Sequence, residues 1–110
     1  MISITLQYIE GCPNWKPIAQ ELTALIAGGT HATIGLEEID SYDTAVEKGF
    51  VGSPTVLIDG VDPFAGENDQ PTLACRMYSS KAGLAGRPSI DQLRAAIEIA
   101  AEQHKGACPG

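Results

Sequence analysis

A small α/β domain with one mixed four-stranded sheet, in the order β-α-β-α-β-β-α, is the expectation this chain raises. Three observations carry it. Apolar residues alternate at a period of two over residues 2 to 8. They then recur at helical spacing over residues 15 to 26, and the two periods alternate along much of the remaining chain. The Gly28-Gly29 pair and the Asp59-Gly60 step fall at changes of period, where turns belong. With 110 residues, 44 % of them hydrophobic, the chain is long enough for one core without disulfide staples and short for two domains.

The first strand comes from Ile2, Ile4, Leu6 and Tyr8 alternating with Ser3, Thr5 and Gln7. Trp15, Ile18, Ala19, Leu22, Leu25 and Ile26 give the first helix its apolar stripe, and Gly28-Gly29 ends it. "ATIGLEEID" reads as a second strand. "SYDTAVEKGF" reads as a short helix, with Ser41 or Asp43 as cap and Gly49 as terminator. "PTVLIDG" is an apolar strand closing on Asp59-Gly60, a turn signal. "TLACRMY", residues 72 to 78, is expected to pair with it as the other half of an antiparallel hairpin, across the long polar loop "VDPFAGENDQP". The last helix opens on a Ser89/Gln92 capping box behind Pro88 and buries Ile90, Leu93, Ile97 and Ala101. Strands alternating with helices at the start imply parallel pairing there, and helices are expected on both faces of the sheet. The domain is expected to span 1-104, with 105-110 as a flexible tail.

Composition narrows the function. A net charge of −7 with no basic cluster argues against nucleic acid and anionic membranes as partners. No apolar run is long enough to span a bilayer, and the N-terminus reads as a strand rather than a signal peptide. A cytoplasmic location with reduced thiols follows as the expectation, and three cysteines fit poorly with a disulfide framework.

The chemistry then centres on "GCPNW". Cys12 stands where the first strand hands over to the first helix, beside unpaired backbone N–H groups and the positive end of the helix dipole. Both favour the thiolate, the species that attacks disulfides, electrophiles and soft metals. Pro13 suits a first helical position; if Asn14 is the cap instead, Pro17 falls in the tolerated first turn. Against this stands the plainer reading of Cys12 as a small buried hydrophobe. "GSPT" places Pro54 at the head of the third strand, where a missing N–H does no harm.

Cys12 after the first strand, Pro54 before the third, Asp59-Gly60 and the final "GRPSIDQLRAAI" together resemble the thioredoxin fold over nearly the whole chain. The resemblance implies that Cys12 is the attacking cysteine. It also implies that Pro54 is cis opposite it, with Ser53 beside the sulfur, and that Pro13, Asn14, Trp15, Ser53, Pro54 and Thr55 shape the substrate site. Trp15 departs from the C-x-x-C pattern of that family by standing where its second cysteine belongs. The chain is also similar to short bacterial thioredoxin-like proteins with G-C-P-N-W, G-S-P-T and a later C-R, some labelled alkylmercury lyase-like. No cofactor is implied.

Cys75 is the second candidate thiol. As a strand residue it reads as core; its functional reading is to resolve a disulfide with Cys12. Arg76, on the opposite face by parity, is expected at the sheet edge or paired with an acidic residue. Cys108 in the tail and His31 in a loop carry no expected role. Asp59, Asp62, Glu67 and Asp69 lack calcium-loop spacing. Three readings remain: thiol–disulfide or thiol-adduct chemistry on a thiol or disulfide substrate, small or protein, with a glutathione-like thiol or Cys75 completing the cycle; handling of a soft metal such as mercury through Cys12 and Cys75; and a non-enzymatic module holding an extended peptide beside Pro54.

Overall fold

The structure is a computed structural model that describes residues 2–66, 69–80 and 83–107, with backbone only for 80 and 103–107. Its elements are β1 (Ile2–Tyr8), α1 (Trp15–Ala27), β2 (Ala32–Glu38), α2 (Tyr42–Lys48), β3 (Thr55–Ile58), β4 (Tyr78–Ser80), β5 (Gly83–Ala85) and α3 (Ile90–Ala107). The expected helices and first three strands are all present. Ser41 caps α2, its Oγ accepting from Thr44 N at 3.1 Å, and Gly49 closes the helix in the left-handed region. Ser89 and Gln92 form the reciprocal capping box, at 2.9 and 3.1 Å. Helix α3 continues to Ala107, so residues 105 to 107, expected in a tail, are helical in backbone; Cys108 lies outside the described residues.

The sheet has three strands rather than four, in the order β2-β1-β3. β1 pairs with β2 in parallel, as the helical crossover requires, with Ile4 opposite Ile34 and Leu6 opposite Leu36. β3 runs antiparallel to β1, with Ile4 opposite Ile58 and Leu6 opposite Val56. The Asp59-Gly60 turn forms as its sequence requires, both residues at positive φ (53° and 82°) and Ile58 and Val61 exchanging backbone bonds. The hairpin stops there. Pro63 has no N–H to continue a ladder, and Asp62 turns away to Arg76. Residues 72 to 77 therefore form no strand against β3. They run beside Gly52 and Ser53 instead, and the second hairpin is β4 with β5.

One face of β1 builds the core. Ile2, Ile4 and Leu6 pack with Val56, Ile58, Ile18 and Leu22 of α1, and Leu93, Ile97 and Ala100 of α3. Burying each large aliphatic side chain contributes about 1.5–3 kcal/mol relative to exposure. Helices α1 and α3 thus share a face. The opposite face carries Thr5 and Gln7 and meets the last turn of α2, where Lys48 pairs with Glu37 at 2.9 Å. That face is less covered than expected, with Ser3 exposed. Ala45 of α2 joins Ile39 and Phe50 in a second cluster, packed against Ile9, just beyond the end of β1 where the thiols lie.

Candidate thiol site

β1 ends at Tyr8, and six residues, 9 to 14, turn the chain into α1. Gly11 adopts φ 88°, a left-handed conformation suited to glycine, and Cys12 N donates to Ile9 O at 3.2 Å. Asn14 is the cap residue of α1 but makes no side-chain capping bond; its amide lies against Gly86, where an added Cβ would strike it. Trp15 is the first helical residue, which puts Pro17 in the first turn, where its missing N–H has no partner to lose. Cys12 therefore sits two residues ahead of the cap. It is buried, 5 % exposed.

Opposite it lies the 52–55 segment. The Ser53–Pro54 peptide is cis. Cys12 Sγ donates to Ser53 O at 3.6 Å, and Ser53 Oγ accepts from Ile9 N at 3.1 Å, tying the segment to the end of β1. Pro54 is fully buried, and Tyr78 donates its phenol to Pro54 O. Thr55 donates to Gly52 O at 2.6 Å and receives Arg76 Nη1 at 3.3 Å. Ser53, Pro54 and Thr55 are all buried, and the group of this segment bonded to Cys12 is the Ser53 carbonyl. Pro13 is exposed, and Asn14 and Trp15 are half-buried.

The third segment of this arrangement is 74–76. Ser53 N donates to Ala74 O and Arg76 N donates to Ser53 O, both at 2.9 Å, so Ser53 and Cys75 form an isolated parallel bridge. Bridged backbones lie about 4.8 Å apart. Cys75 is exposed, which corrects its expected place in the core. The reason is its neighbour. Arg76 faces inward, 8 % exposed, because Asp62 holds it at 2.6 and 3.4 Å, Phe64 O accepts from it at 2.7 Å, and its guanidinium stacks 4.6 Å from the Tyr78 ring centroid. With Arg76 and Tyr78 turned in, alternation sends Cys75 and Met77 out.

The Cys75 thiol is held above the ordinary cysteine range. Lost hydration at the sulfur contributes most, then charge on Cys12 and a hydrogen bond between the two thiols. Tyr78 is likewise pushed upward, mainly by burial. Cys12 and Cys75 are therefore neighbours, the pairing that the linear sequence left open.

A cleft of about 440 Å³ reaches Cys12, lined by Tyr8, Glu10, Pro13, Trp15, Lys16 and Glu38. Trp15 stacks on Tyr8, 4.1 Å between centroids at 21°, and Lys16 lies 5.7 Å over the Trp15 ring. A second cleft of about 450 Å³ opens beside Cys75, lined in part by Val51, Phe64, Asp69 and Met77. Sequence reasoning missed Tyr8, Asp62 and Tyr78 as parts of this site. Tyr8 carried a usable signal, since it continues the period-two stripe to the strand end beside "GCP". Among the described residues no group of three or more metal-ligating side chains occurs, and no helix is long and apolar enough to cross a membrane. No family model, curated protein or solved structure matches the chain.

Proposed function

We propose that this protein is a thioredoxin-like thiol protein in which Cys12 is the nucleophile of a thiol–disulfide exchange. One observation carries the reading: a cysteine just ahead of a helix N-terminus, its thiol bonded to the Ser53 carbonyl, at the foot of an open cleft. In the step, the Cys12 thiolate attacks one sulfur of a disulfide. A Cys12–S–S–R bond forms, the substrate S–S bond breaks, and the second substrate sulfur leaves as a thiolate that takes a proton from water. The cleft between Trp15 and Glu38 is the approach for that disulfide. Trp15 in place of a second cysteine leaves no partner within the same helical turn.

The test is intact-mass analysis after exposure to a small neutral disulfide, 2-hydroxyethyl disulfide. Cys12 is expected to react first, and Cys12→Ser is expected to abolish the reaction in that segment. Modification of every cysteine except Cys12 would sink the proposal.

A second reading has one observation in its favour. Two cysteines gathered at the Ser53 peptide, in no group of three or more metal-ligating residues among the described residues, suit a soft ion in two-coordinate geometry. Titration of the reduced protein with a soft monovalent ion, read by thiol absorbance, separates it from exchange. The peptide-holding module is the weakest reading, because the Ser53 N–H and C=O that an extended peptide would pair with are already bonded to Ala74 and Arg76.

A further inference from the structure

The backbone of Ser53 is occupied by the protein's own chain, and the residue presented there is a cysteine. Ala74 O and Arg76 N clasp Ser53 on either side of Cys75, in the manner of an extended peptide docked on a strand. The Ser53 carbonyl that receives Arg76 N also receives the Cys12 thiol, so one peptide unit holds both cysteines. Cys75 is exposed while Cys12 is buried beside it. The segment is not free to drift: Arg76 is anchored inward on Asp62, Thr55 and Phe64 O, and Gly52 lies so close that a Cβ there would fall 2.8 Å from Arg76 Cβ.

We infer that Cys75 is the resolving thiol of Cys12, presented as a built-in substrate, so that the protein cycles through a Cys12–Cys75 disulfide. The inference rests on the exchange reading of Cys12. After Cys12 has formed its mixed disulfide, the Cys75 thiolate attacks Cys12 Sγ. The Cys12–Cys75 bond forms, the Cys12–S–S–R bond breaks, and R–S⁻ leaves and is protonated. The substrate disulfide has then gained two electrons and two protons, and the protein has lost as many. A small-molecule dithiol, itself oxidised to a disulfide, returns the pair to two thiols. The suppressed ionisation of the Cys75 thiol, caused first by lost hydration and then by Cys12 beside it, fits this order of events, because the part owed to the free Cys12 thiol is lifted once Cys12 is in a disulfide.

The experiment uses the full chain carrying Cys108→Ser, which removes the remaining thiol. The reduced protein is treated with 2-hydroxyethyl disulfide, quenched in acid, and mapped by non-reducing peptide mass spectrometry. The expected product has lost two hydrogen atoms and contains a peptide pair joined through Cys12 and Cys75. In the added background of Cys75→Ser, and separately of Cys75→Ala, the hydroxyethylthio adduct is expected to remain on Cys12 and to survive about tenfold longer or more, because intramolecular attack is lost. An adduct on Cys12 that persists equally in the presence of Cys75 overturns the inference and leaves the exchange reading standing. An adduct that forms first on Cys75 in Cys12→Ser, at the undiminished rate, overturns the assigned order. A Cys12 that takes no adduct even in Cys75→Ser overturns the exchange reading itself. The peptide map of the protein with both thiols intact decides the matter even if a variant folds poorly.

Discussion

Cys75 titrates in the company of Cys12, and that coupling is measurable one residue at a time. Two of the three causes that raise it come from Cys12. The rate of Cys75 alkylation by iodoacetamide against pH is expected to inflect above the ordinary cysteine range. Cys12→Ser is expected to move that inflection down, since charge and hydrogen bond leave together while the lost hydration stays. An inflection that does not move would mean the thiols are not neighbours. Gly52 sets the same geometry from the other side. It adopts φ 129° and has no room for a Cβ against Arg76. Gly52→Ala combines backbone strain with a backbone-level clash, and is expected to lower stability by about 1–3 kcal/mol in urea unfolding. An unchanged midpoint would show that the two segments do not approach so closely.

The segment carrying Cys75 is held by a buried ion pair rather than by a sheet. Arg76 and Asp62 are 8 % and 14 % exposed at the side chain, and the guanidinium has further partners in Thr55 Oγ1 and Phe64 O. Asp62→Ala strands that charge, and breaking such a pair costs about 3–5 kcal/mol. A loss of that size in urea unfolding, partly restored by Asp62→Ala combined with Arg76→Met, is the expected pattern; restoration fails if Arg76 is held chiefly by its other partners. The helices present a milder case. Ser41→Ala removes the side-chain cap of α2, at about 1 kcal/mol. The corresponding drop in melting temperature is about 4–8 °C. These caps were readable from residue type, since Ser41, Gly49, Ser89 and Gln92 act through local backbone geometry. The strand expected at residues 72 to 78 was not, because its apolar pattern suits a strand while its hydrogen-bond partner, Ser53, lies some twenty residues earlier.

Oxidation links two parts of the chain that are distant in sequence. A Cys12–Cys75 disulfide closes a loop of roughly sixty residues, for which chain entropy alone gives a stabilisation of about 4 kcal/mol. The oxidised protein is therefore expected to melt at a higher temperature than the reduced protein, by a margin absent in Cys75→Ser. An equal melting temperature in both redox states would argue that the bond forms at the cost of native contacts. The core under this link belongs chiefly to β1, β3, α1 and α3, and the β4–β5 hairpin and the 72–77 segment lie outside the three-stranded sheet.

Short-range physics makes much of this molecule legible in its sequence. The alternation of Ile2, Ile4 and Leu6, the stripe of Ile18 and Leu22, the Asp59-Gly60 turn and the helix caps depend on neighbours within a few residues, and each folds as its residues dictate. The position of Cys12 ahead of a helix was equally plain, because a glycine, a proline and a change of period mark it. The partnership of Cys12 with Cys75 was hidden. Strand parity placed Leu73, Cys75 and Met77 on one face and could not say which face was buried. Asp62 made that choice: by drawing Arg76 inside, it turned Cys75 outward beside Cys12, a contact across more than sixty residues that no local pattern encodes.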